Sequence, residues 1–195
     1  LSLMISPQSE GLFSAALCQS GLPKTGRIKE SEKLTENIIK KLFIKNGDAT
    51  NELEAENILN HFTNEEIRKY LYSQKAKDIM KCLSPHLLGM INIPFIFPDG
   101  NVIPENAYEN LNSGIGINKV PLMIGSNTNE MKLFVYFSKE PNWKDSMFDI
   151  TTMYSSDIWK AEGVDKIARK LSKLPDQPPV YVYQFNYGNK QDKKS

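Results

Sequence analysis

The sequence predicts an α/β fold, a mostly parallel sheet with helices against it. Three observations carry that prediction: three short runs with strand character, long helical patterns between them, and turn residues where the runs end. In "GLFSAALCQSG" the apolar run Ala15 to Cys18 precedes Gln19, Ser20 and Gly21, which reads as a short buried strand closed by turn residues. "VPLMIGS" around residues 120–126 reads as a second buried strand, and "PPVYVYQFNYG" alternates Val180, Val182 and Gln184 against Tyr181, Tyr183 and Phe185 as a third. Ligands of such sheets bind at the carboxyl ends of the strands, which places Gly21, the Gly125–Glu130 turn and the residues after Tyr187 where a site belongs.

Between the first two strands lie three helix patterns. From Lys29 to Ile44, Leu34, Ile38 and Leu42 recur every fourth residue beside Ile39 and Phe43, giving one apolar face. A short helix is predicted from Asn51 to Phe62. A third starts at Thr63, where Thr63-x-x-Glu66 has capping-box spacing, and its apolar side is Ile67, Tyr70, Leu71, Ile79 and Met80. Pro85, Pro94, Pro98 and Pro104 then forbid a long helix, and "FPDG" is a turn in which proline presets φ and glycine permits the reversal. Later helices are predicted near Glu105–Leu111, Asn129–Ser138 and Asp157–Lys173.

Composition bounds the function. The chain has 195 residues, 40% of them hydrophobic and 24% charged, enough for one sizeable core and predicted to form a single domain. Lys and Arg total 24 against 23 Asp and Glu, so no bulk charge recruits nucleic acid, and Lys190, Lys193 and Lys194 read as a solvated end. Cys18 and Cys82 have no metal spacing and read as buried free thiols, which fits a reducing, cytoplasmic compartment. No apolar run approaches the ~20 residues of a membrane span. "LSLMI" is too short for a signal-peptide core, and a start at Leu1 without Met reads as a piece of a longer chain.

Chemistry concentrates in "KVPLMIGSNTNEMKLF". Glu130 has two readings there: Asn127-x-x-Glu130 has capping-box spacing, and an acid at such a turn can equally belong to a catalytic set. Residue patterns alone supply no partners. His61 and His86 read as a helix-end or surface group and a loop contact, and there is no Gly-x-Ser-x-Gly elbow, no phosphate loop and no His-Glu-x-x-His.

Three stretches, in order, resemble the type-B carboxylesterases, the cholinesterase-like branch of the α/β-hydrolases. "SLMISPQSEGLFSAALCQSG" resembles the helix and strand after that family's nucleophile elbow, "IFPDGNVIPENAYENLNSGIGINKVPLMIGSNTNEMKLF" its Pro/Asp-Gly turn through the acid turn, and "VYVYQFNYG" the strand before its histidine loop. The resemblance implies part of an α/β-hydrolase fold, incomplete at both ends, and a serine esterase of the para-nitrobenzyl esterase type acting on a small carboxylic ester without metal or organic cofactor. It implies Glu130 as acid of a Ser–Glu–His triad, Ser20 as its support, and Leu88, Met90 and Phe95 as acyl contacts. The nucleophile would lie upstream of Leu1 and the histidine downstream of Ser195, so the segment alone would be inactive.

Departures are also visible. Asn129 replaces the usual Asp, Met131 replaces the usual Gly and would crowd the turn, and the connection from Phe134 to Asp157 is short enough to have lost helix. A non-catalytic cholinesterase-like binding protein is therefore the alternative, with an unrelated short α/β protein behind it.

Overall fold

A computed structural model describes residues 1–84, 91–138 and 143–187. The chain divides into two compact units, one of Leu1–Thr25 with Pro98–Ser195 and one of Gly26–Phe97.

The first unit holds the sheet. Strands β1 (Ala16–Gln19), β2 (Leu122–Asn127) and β3 (Val180–Phe185) lie in that order, all parallel, with Ala16 opposite Leu122 and Leu122 opposite Val180. Because side chains alternate across a strand, Cys18, Leu122 and Ile124 point to one face. There they meet Met4 and Ile5 of helix α1 (Ser2–Ile5), together with Val164, Ile167 and Leu171. Leu17, Met123 and Tyr181, aligned across the three strands, stand on the opposite face and are about half exposed. The first two strands, expected to be buried outright, are thus buried on one face only among the described residues.

The second unit is helical: α2 (Ile28–Asn46), α3 (Glu52–His61), α4 (Asn64–Ser73) and α5 (Ala76–Cys82). Its centre is the predicted apolar face of α2, where Phe43 packs edge-on against Phe62 at 5.4 Å and tilted against Tyr70 at 4.8 Å. Burial pushes the Tyr70 phenol up to about 12, so it stays protonated and donates to Asp48 Oδ2 at 3.1 Å. Thr63 makes both bonds of the capping box: its hydroxyl accepts from the Glu66 N–H, and Glu66 Oε2 accepts from the Thr63 N–H at 2.7 Å.

The third predicted helix is two helices. The Tyr70 carbonyl, which a continuing helix would give to the Gln74 N–H, accepts instead from Ser73 Oγ at 2.7 Å and Gln74 Nε2 at 3.2 Å. The Gln74 N–H turns to Leu71, and Gln74 and Lys75 become extended. Local side-chain bonds outcompete the helix here.

Three further expectations shift. The stretch 105–111 forms turns and a single 3-10 turn, Asn110–Asn112, and the helix after the acid turn, α6, is confined to Lys132–Phe137. The helix expected from Asp157 begins twelve residues earlier: α7 (Asp145–Lys160) runs through a π-helical segment, Ala161–Asp165, into α8 (Lys166–Leu171). Ser155-Ser156-Asp157 mimics a helix start, yet Ser155 Oγ donates back to the Thr151 carbonyl in mid-helix. The Phe134–Asp157 connection therefore carries most of α7.

Thr63→Ala removes the hydroxyl of the capping box and should cost about 1 kcal/mol locally. Hydrogen exchange of the 64–73 amides should accelerate, while that of the sheet amides stays unchanged.

Candidate functional site

Beyond the last residue of β1, the Ser20 N–H donates to the Gly125 carbonyl at 2.8 Å and extends the ladder by one bond. Ser20 then turns left-handed, at φ 53°. For a residue with a Cβ that conformation costs on the order of 1–3 kcal/mol and persists only where neighbours overdetermine it. Its hydroxyl donates to Glu130 Oε2 at 2.7 Å, across 110 residues of sequence.

Glu130 lies in the turn after β2, and its Oε2 also accepts the Asn127 N–H at 2.7 Å. Two donors hold Oε2, while no hydrogen bond reaches Oε1 from the described residues. Half the capping-box geometry is present, but the helix does not start there: Met131 occupies the N-cap of α6 and makes no side-chain cap bond. Glu130 closes a turn rather than capping a helix. Met131 itself adopts φ −89°, ψ −1°, the bridge region that turns use, which does not require glycine.

Three further attachments brace this turn. The Thr128 N–H donates to the Phe185 carbonyl at 2.9 Å, tying it to β3. From α7, buried Ser156 accepts the Met131 N–H on its Oγ at 3.0 Å, and Trp159 Nε1 donates to the Ser20 carbonyl at 3.2 Å. Backbone proximity tightens the rest. A Cβ on Gly125 would come within 2.4 Å of the Tyr183 carbonyl oxygen, and one on Gly163, in the π-helical segment, within 2.6 Å of the Gly21 carbonyl oxygen. Beside Glu130 opens a cleft of about 670 Å³ with aromatic walls from Phe134, Phe148, Phe185 and Tyr187.

Chemically, this arrangement presents a half-buried carboxylate, anchored by one oxygen, at the carboxyl ends of parallel strands. Such a group can accept a hydrogen bond from a cationic or N–H partner without losing its own position. Among the described residues no cluster of three His, Cys, Asp or Glu could hold a metal, and no helix is long and apolar enough to cross a membrane.

The model of the carboxylesterase family matches residues 1–171. The chain belongs to the carboxylesterase family. Membership implies an α/β-hydrolase, and the three parallel strands with their helices are consistent with part of one. At the level of the family it implies hydrolysis of carboxylic esters and a small-molecule ester as substrate. Strand β3 lies beyond the matched stretch, and no curated protein matches the chain.

Phe95 belongs to the helical unit, with its ring beside Gly26, its carbonyl accepting from Ser31 Oγ at 3.3 Å, and 55% of its surface exposed. Leu88, Met90 and His86 lie outside the described residues. His61, exposed at the end of α3, pairs its Nδ1 with the Asn57 carbonyl at 2.7 Å, as a helix-end group does. Sequence reasoning missed Ser156 and Trp159. Their one legible signal is the i, i+3 spacing that puts both on one helix face.

Gly125→Ala should destabilise the intact protein by about 1–3 kcal/mol, because the new methyl meets the Tyr183 carbonyl oxygen of β3 as well as the Tyr183 ring, and the backbone oxygen cannot swing aside as a side chain can. A denaturant midpoint unchanged from wild type would contradict the close approach.

Proposed function

We propose that Glu130 is the acid of a Ser–Glu–His triad in a carboxylic ester hydrolase, and that Ser20 supports it. One observation carries the reading: Oε2 is held by Ser20 Oγ and the Asn127 N–H, and no hydrogen bond from the described residues occupies Oε1. A carboxylate oriented through one oxygen can offer the other to an imidazole Nδ1–H. That bond would fix the tautomer whose Nε2 takes the proton of a nucleophilic serine, and the negative charge would stabilise the imidazolium formed on attack.

Attack on the ester carbonyl gives a tetrahedral oxyanion. Its collapse expels the alcohol, protonated by the imidazolium, and leaves an acyl-enzyme that water hydrolyses with the same base. The serine, the histidine and the oxyanion donors are assigned to parts of the polypeptide outside Leu1–Ser195, so the segment by itself is expected to be inactive. An acyl-contact role for Leu88, Met90 and Phe95 rests on the resemblance alone. Met131, the departure that favoured a non-catalytic relative, occupies a turn conformation that does not require glycine, so the lost glycine does not by itself argue for that alternative.

The test is fluorophosphonate labelling of the full-length polypeptide with peptide mapping, alongside Glu130→Gln. Label should fall on a serine upstream of Leu1, and Glu130→Gln should lower kcat/KM by roughly 10³–10⁴-fold, as loss of a triad acid does. An intact protein that takes no label, or a Glu130→Gln variant that keeps its rate, would overturn the assignment.

A further inference from the structure

Every polar group of Ser20 is committed. Its N–H goes to Gly125, its hydroxyl to Glu130 Oε2, and its carbonyl accepts from the indole of Trp159. The last of these is what a left-handed serine needs. At φ 53° the carbonyl has left the direction of the ladder, and a half-buried carbonyl without a donor drives the backbone back toward the extended conformations that serine prefers. Such a relaxation would swing the Cβ, and with it Oγ, off Oε2.

Three residues before Trp159, Ser156 is 2% exposed and accepts the N–H of Met131, the residue following Glu130. One face of α7 thus grips both ends of the Ser20–Glu130 bond. A turn further on, Gly163 packs against the Gly21 carbonyl so closely that no side chain fits, which confines the residue after Ser20 as well.

We propose that Trp159 and Ser156 are positioning residues for the acid: Trp159 holds Ser20 in the conformation that delivers its hydroxyl to Glu130, and Ser156 holds the turn that carries Glu130. The proposal rests on Glu130 being the triad acid. Neither side chain touches substrate in this scheme. Both act through the placement of one carboxylate.

The test uses the full-length polypeptide. Ester turnover is measured in Trp159→Phe, which keeps an aromatic ring and removes the N–H donor, in Ser156→Ala, in Ser20→Ala and in the Trp159→Phe/Ser20→Ala double variant, and Trp159→Phe is crystallised. Each of the first two should lower kcat about three- to tenfold, the span of one ordinary hydrogen bond, with KM within about twofold. The double variant should be no slower than Ser20→Ala alone, because both changes act through the same bond. Losses that multiply, an unchanged kcat, or an effect confined to KM would overturn the proposal.

Glu130→Gln is assayed in parallel. Should it keep the wild-type rate, the acid reading fails on its own and the Trp159→Phe structure decides the positioning claim. Ser20 out of the left-handed region, with Oγ beyond hydrogen-bond reach of Oε2, upholds that claim. Unchanged geometry overturns it.

Discussion

The sheet unit is organised around a single carboxylate oxygen. Oε2 of Glu130 gathers a side-chain donor from the end of β1 and a backbone donor from the end of β2, each at 2.7 Å. That meeting is possible only because β1 and β2 are parallel and in a register that places Gln19 opposite Gly125, so both chains leave the sheet at the same level. Gly125 lets β3 approach closely from the other side, and the Thr128–Phe185 bond fixes where the turn begins. The geometry of one hydrogen bond thus summarises the register of three strands.

Helix α7 braces the arrangement from outside the sheet, in an unusual way. Its inward side carries Thr152 and Ser156, both buried, while Met147, Ile150, Tyr154 and Ile158 are exposed. A helix selected only for apolar packing would reverse that pattern. Thr152 Oγ1 and Ser126 Oγ of β2 are both buried with no hydrogen-bond partner among the described residues, an arrangement that costs about 1–3 kcal/mol for each group. The polar inner side of α7 is better accounted for by what it holds, the Met131 amide and the Ser20 carbonyl, than by stability.

Much of this was legible in the sequence, and the failures have physical causes. All three strands were placed within two residues, because apolar runs ended by Gly, Ser and Asn are strong signals over short distances. The apolar face of α2 and the Thr63 box were legible for the same reason. The third helix was overextended because Ser73 and Gln74, ordinary in composition, capture the Tyr70 carbonyl once their side chains are placed. The start of α7 was missed because serines that bond backward within a helix look like serines that begin one. At the site, the Glu130 turn showed in local spacing, but its partnership with Ser20 spans 110 residues and came from family resemblance, not from any pattern in the chain. Which strand faces are covered depends on packing that no local pattern encodes.

The central claim is that Glu130 keeps one oxygen for the fold and offers the other to catalysis. A crystal structure of the full-length protein with its nucleophile phosphonylated would test it most directly. The account predicts an imidazole nitrogen within hydrogen-bond distance of Oε1, with Ser20 Oγ still on Oε2. An imidazole paired with a different carboxylate, or Oε1 engaged by a structural donor instead, would contradict it.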